Sequence, residues 1–97
     1  MPLFLIEHRH TDATCPTHNP DMVRALRDHV TPENAERQGV KLLADWVDES
    51  NHHLVLVVDS PTFAAAEGFG APFEDAGSVE VTMGLTCDHV AKECLGE

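Results

Sequence analysis

The chain opens with the apolar run Leu3, Phe4, Leu5 and Ile6, which gives way to polar residues ending at His10. The run is too short for a helix and predicts a strand over 2–10, in which Phe4, Ile6, His8 and His10 share one face. Thr, Asp, Pro and Asn dominate residues 11–19, a loop. Asn19-Pro20 then has the chemistry of a helix start, a side-chain cap followed by a preset φ. Met22, Val23, Leu26 and Val30 follow at helical spacing and predict a helix over 20–30. Thr31-Pro32 restarts or kinks it, and the helix runs on to Gly39. Residues 40–48 form a second strand and Glu49-Ser50-Asn51-His52 a polar turn. His53 to Asp59 is a third strand, apolar on both faces as a central strand should be.

Ser60-Pro61 is a second cap-plus-proline start, leading into Phe63-Ala64-Ala65-Ala66, with Gly68 and Gly70 weakening the later turns. Val79, Val81 and Met83 alternate with Glu80 and Thr82, giving a fourth strand over 78–83 with one buried face. A short helix follows Thr86. Its Cys87, Val90, Ala91 and Cys94 fall at i, i+3, i+4 and i+7, the spacing of a buried stripe. The order β-α-β-β-α-β is the split βαβ pattern of a ferredoxin-like α+β sandwich: a four-stranded antiparallel sheet with helices on one face. At 97 residues the chain is expected to be a single domain, residues 1–97. Because the central strands are apolar on both sides, the face without helices needs a cover, and a second copy of the chain is its simplest source. A homodimer is expected.

Charge narrows the partners. Six Lys and Arg against seventeen Asp and Glu give a net charge of −11, which repels nucleic acid and anionic membrane surfaces alike. No apolar run is long enough for a membrane span, and Glu7 cuts off the N-terminal one, so a cytoplasmic protein is expected. Three cysteines, an odd number without a disulfide-framework spacing, point to reduced thiols.

The chemistry concentrates in residues 8–18, where His8, His10, Cys15 and His18 form the pattern H-x-H-x4-C-x2-H. Nickel, zinc and copper accept imidazole and thiolate together. A strand-borne H-x-H aims both rings to one side, and Cys15 and His18 can fold back from the loop, with Pro16 stiffening the turn. The same residues also fit a wet strand end with Cys15 as a small buried hydrophobe. His52 and His53 open a third strand expected to run parallel to the first, which puts them at the far end of the sheet from His10. Adjacent strand positions point to opposite faces, and a polar turn accounts for both. Cys87 is held in reserve as a ligand should the C-terminal segment wrap back. Asp45, Asp48, Glu49 and Asp59 fit a solvated surface, and Ser60 fits a helix cap better than a nucleophile.

Several features together resemble the dimeric α+β barrel superfamily. They are the opening Met1-Pro2-Leu3-Phe4-Leu5-Ile6-Glu7, Gly39 before the second strand, Trp46 within it, Val57-Val58-Asp59-Ser60-Pro61, and Pro72-Phe73 ahead of Val79-Glu80-Val81. The opening is similar to that of small bacterial proteins, some described as nickel-binding, and the His/Cys-rich loop suits that role. The layout also resembles muconolactone isomerase, although the chain has no Tyr and a single Trp. Fold likeness alone transfers no activity. The expectation is a protein binding a divalent transition metal (nickel, zinc or copper) through His8, His10, Cys15 and His18. The alternative is an isomerase- or monooxygenase-like enzyme acting on a small organic substrate in the barrel cavity between the two sheets, with His8 or His10 as general base beside Phe4 and Ile6.

Overall fold

A computed structural model describes residues 2–15 and 18–97; Pro16, expected to stiffen the turn after Cys15, lies outside the described residues. The strands are β1 (Leu3–Arg9), β2 (Lys41–Asp48), β3 (His53–Asp59) and β4 (Ser78–Gly84), and the helices α1 (Pro20–His29), α2 (Pro32–Arg37), α3 (Phe63–Gly70) and α4 (Cys87–Leu95). The sheet is antiparallel throughout, in the order β2-β3-β1-β4. This is an α+β arrangement consistent with a ferredoxin-like fold.

Local chemistry sets the helix starts. The Asn19 side chain accepts from the Asp21 and Met22 N–H groups, and Thr31 Oγ1 accepts from Asn34 N–H at 3.1 Å. Each satisfies donors that the first turn of a helix leaves over, and Pro20 and Pro32 have no N–H to satisfy. Gly39, at φ 82°, takes the left-handed turn that ends this helical segment and releases the chain into β2. The third helix starts differently from expectation. Thr62 is its cap, accepting from Ala65 N–H at 3.1 Å, while buried Ser60 donates its hydroxyl to the Thr62 carbonyl at 2.7 Å. Ser60 thus secures the turn leading to the cap without being the cap.

Pairing sorts the side chains into two faces. Leu42–Val58–Phe4–Met83, Asp45–Leu56–Ile6–Val81 and Val47–Leu54–His8–Val79 run across the helix-covered face. Ala44–Val57–Leu5–Thr82 and Trp46–Val55–Glu7–Glu80 run across the other, and a bulge at Leu43 puts β2 in register for both. Phe4, Ile6, Leu56 and Val58 pack with Phe69, Ala66, Ala35 and Val40 into one core. Each large apolar side chain buried there contributes about 2–3 kcal/mol, and a one-residue slip would carry a whole strand's set to the wrong face. Gly70 lets α3 approach closely, because a Cβ there would meet Ile6 Cγ2 at 2.9 Å.

Two expectations change. The third strand runs antiparallel to the first, so Arg9 pairs with His53, and His52 lies beside His10 at one end of the sheet instead of at the far end. The stripe Cys87, Val90, Ala91 and Cys94 is not buried within the chain: Thr86 caps α4 as expected, but every residue of that helix is exposed. The helix follows the Gly84 end of β4, which pairs with Leu3, whereas His10 lies beyond Arg9 at the other end of β1. Cys87 is therefore kept away from the His/Cys segment. Among the described residues no helix is long and apolar enough to cross a membrane.

Candidate metal centre

The end of β1, the loop after it and the β2–β3 turn converge. His10 continues the helix-facing side of β1, and its N–H donates to the His52 carbonyl at 3.1 Å, extending the pairing past Arg9 and His53. Gly77 makes room for this. A Cβ there would run into the Arg9 carbonyl oxygen and stand 3.1 Å from His10 Cα. Cys15 is placed by a short 3-10 turn at Asp12–Thr14, with its N–H on the Asp12 carbonyl at 3.4 Å.

The β2–β3 turn presents His52 in a backbone conformation that β-carbon-bearing residues seldom adopt. Its φ is 52°, the only positive value outside glycine among the described residues. Glycine or asparagine would normally stand there, and an ordinary L-residue costs about 1–2 kcal/mol. Asp48 braces the turn by accepting from Ser50 Oγ at 2.8 Å and Asn51 Nδ2 at 2.6 Å. These bonds, from Asn51 first and then Ser50, hold its carboxyl below the ordinary carboxylate value. Asp48 is thereby a turn brace and not half of an acid–base pair.

One ligand atom each from His10, Cys15 and His52 lie within 4.8 Å of one another. Metal bonds of ~2.0–2.3 Å would require them to close by roughly an ångström. The His10 and His52 rings meet edge to face with centroids 5.0 Å apart. Nδ1 of each ring is buried and meets no hydrogen-bond partner. An unsatisfied buried polar atom costs about 1–3 kcal/mol, and here two occur on neighbouring rings that group with the buried Cys15. Burial, followed by repulsion from His8 and His52, holds the His10 imidazole below its ordinary pKa. The neutral form is the one that coordinates a metal.

The other expected ligands flank this group. His8 is 2% exposed, and its Nδ1 donates to the Ser78 carbonyl at 3.1 Å. Its ring lies 5.3 Å from that of His10, and burial, partly offset by the Ser78 bond, lowers its pKa. His18 is exposed, with Nε2 3.7 Å from Asp12 Oδ1, and the same carboxylate oxygen stands 3.9 Å from His52 Nε2. Asp12 thus places a negative charge near the Nε2 edge of His52, at a distance of charge attraction and not of a hydrogen bond. Sequence reasoning missed His52 by giving β3 the wrong direction. The split βαβ pattern contained the remedy, since an all-antiparallel sheet with β3 beside β1 puts the start of β3 next to the end of β1.

His10 and Cys15 also form part of the wall of a cavity of about 380 Å³ between α1 and the sheet, together with Leu26, Leu54, Val47 and Phe73. The cavity lies inside one chain. Phe4 and Ile6, expected on the wall of a cavity between two sheets, are in the solid core under the helices instead. At its α1 side stands His29, whose Nε2 donates to the Phe69 carbonyl at 2.7 Å while Nδ1 accepts from Asn34 Nδ2 at 3.2 Å.

Compared with known proteins, the chain matches no family model, no curated protein and no solved structure. The resemblance seen in the sequence is therefore carried by the antiparallel α+β topology alone.

Proposed function

We propose that the protein binds a divalent first-row transition metal through His10, Cys15 and His52, with His8 beside the centre and His18 behind it through Asp12. The observation that carries this reading is the grouping of His10, Cys15 and His52 ligand atoms within 4.8 Å, where each histidine also keeps a buried, unpartnered Nδ1. A cation satisfies both nitrogens at once, and it explains why a histidine holds a left-handed position that glycine would occupy without strain. Nickel, zinc and copper all accept two imidazoles and a thiolate. Reduced cysteines suit a cytoplasmic setting, and Cys15, Cys87 and Cys94 form no disulfide.

The test is elemental analysis of untagged protein, followed by titration of nickel, zinc and copper into chelated wild type and a His10→Ala, Cys15→Ala double variant. Stoichiometric binding that the variant loses supports the centre; absence of tight binding in wild type removes it.

We also infer that two copies pair through the sheet face opposite the helices. Leu5 and Trp46 are 36% and 51% exposed on it, and α4 leaves Val90 and Leu95 exposed as well. A helix with an apolar stripe and a sheet face without a cover complement each other, and a reciprocal exchange between two copies satisfies both. Sedimentation equilibrium of wild type and Trp46→Glu checks this, with the variant expected to be monomeric.

A further inference from the structure

We infer that the cavity between α1 and the sheet is the binding site of a small organic monoanion with an apolar body, whose charged head takes the open position on the metal; this rests on the metal reading above. Three protein ligands leave a tetrahedral ion one position short. His10 and Cys15 belong both to the centre and to the cavity wall, so that position is next to the cavity.

Charge selects the head. Two neutral imidazoles and one thiolate leave a divalent ion with net charge +1, beside walls formed by Leu26, Leu54, Val47 and Phe73. A charge facing low-dielectric walls is best compensated by one directly bound anionic donor. Among the described residues no lysine or arginine lines the cavity, so the metal is the fixed positive charge available to the head. His29 offers nothing more, because both of its ring nitrogens are engaged. Among the described residues the one carboxylate on the wall is the exposed Glu49, which disfavours a second negative charge on the ligand.

Size and walls select the body. About 380 Å³ lies within the range of small-molecule sites, and it holds a single ring or a short branched chain. Burying such a body releases water from apolar surface on both partners. Binding should therefore require the metal for the head and the cavity for the body.

The test loads chelated protein with cobalt(II), whose visible bands report coordination, and titrates benzoate, acetate and toluene. Benzoate is expected to shift the cobalt bands saturably and to bind on the order of tenfold more tightly than acetate. Toluene should leave the bands unchanged, and metal-free protein should not take up benzoate. Val47→Phe, which fills the cavity from the edge strand, should keep the starting cobalt spectrum and weaken benzoate about tenfold. If the cobalt spectrum shows a thiolate-bound ion but benzoate leaves it unchanged, binds no better than acetate, or is unaffected by Val47→Phe, the inference is overturned while the metal centre stands. If cobalt gives no thiolate charge-transfer band, the metal reading fails, and the inference fails with it.

Discussion

At His29 both ring nitrogens are committed, one to the Phe69 carbonyl and the other to Asn34, and the ring stacks on Phe69 with centroids 4.6 Å apart. At His10 and His52, Nδ1 is as buried but meets no partner, and the two rings touch each other. Both regions border the same core, so burial alone does not separate them. What differs is whether the protein itself satisfies the imidazole. A satisfied histidine holds α1 and α2 together; the unsatisfied pair near Cys15 leaves a bonding demand that costs the ligand-free fold.

Breaking the first region should produce the largest effect on stability. His29→Ala removes the stack and leaves the Phe69 carbonyl and Asn34 without their ring partner, so unfolding free energy in urea should fall by about 2–3 kcal/mol. Metal affinity per folded molecule should not change. Asp12→Asn addresses the second region from behind. Loss of the negative charge near His52 should weaken metal binding about fivefold in a competition titration at low salt, with stability nearly constant.

His52→Gly sharpens the contrast, because it should impair metal binding and yet raise the stability of metal-free protein by about 1 kcal/mol. Glycine takes φ 52° without strain, and one orphaned nitrogen disappears. Loss of stability in this variant would mean that His52 is a structural histidine of the His29 kind.

The smallest effect is in the pH dependence. Burial lowers the imidazole pKa of both His8 and His10 from 6.5. The unfolded chain therefore takes up protons first on acidification. The stability due to this pair is complete above about pH 6.5 and is lost as the pH falls through the lowered folded values. Urea titrations of metal-free protein at pH 7.5 and 5.5 should show the decline, and His8→Asn should flatten it. His52, Glu49 and His29 also border this region and stay constant between the two proteins compared.

Much of the scaffold was legible residue by residue. Asn19-Pro20 and Thr31-Pro32 start helices where their caps predict, and the third strand begins and ends at His53 and Asp59 as its apolar run implies. His10 and Cys15 stood out by density of soft donors, and they do come together. These signals lie within a few residues of one another, over distances at which hydrogen bonds and side-chain alternation operate. The misreadings were at longer range or turned on fine geometry. Ser60 and Thr62 both have capping hydroxyls, and only the path of the chain decided which one met the helix. The stripe on α4 has helical spacing, but spacing cannot say whether anything within the chain lies opposite it.

The sequence by itself determined the α+β class, the order of elements and two of the three residues of the candidate group, because capping, alternation and donor chemistry are local properties. Only the tertiary structure decided that His52 joins them. Its place depends on the direction and register of β3 against β1 and on a left-handed turn residue, and both follow from packing between segments far apart in the chain.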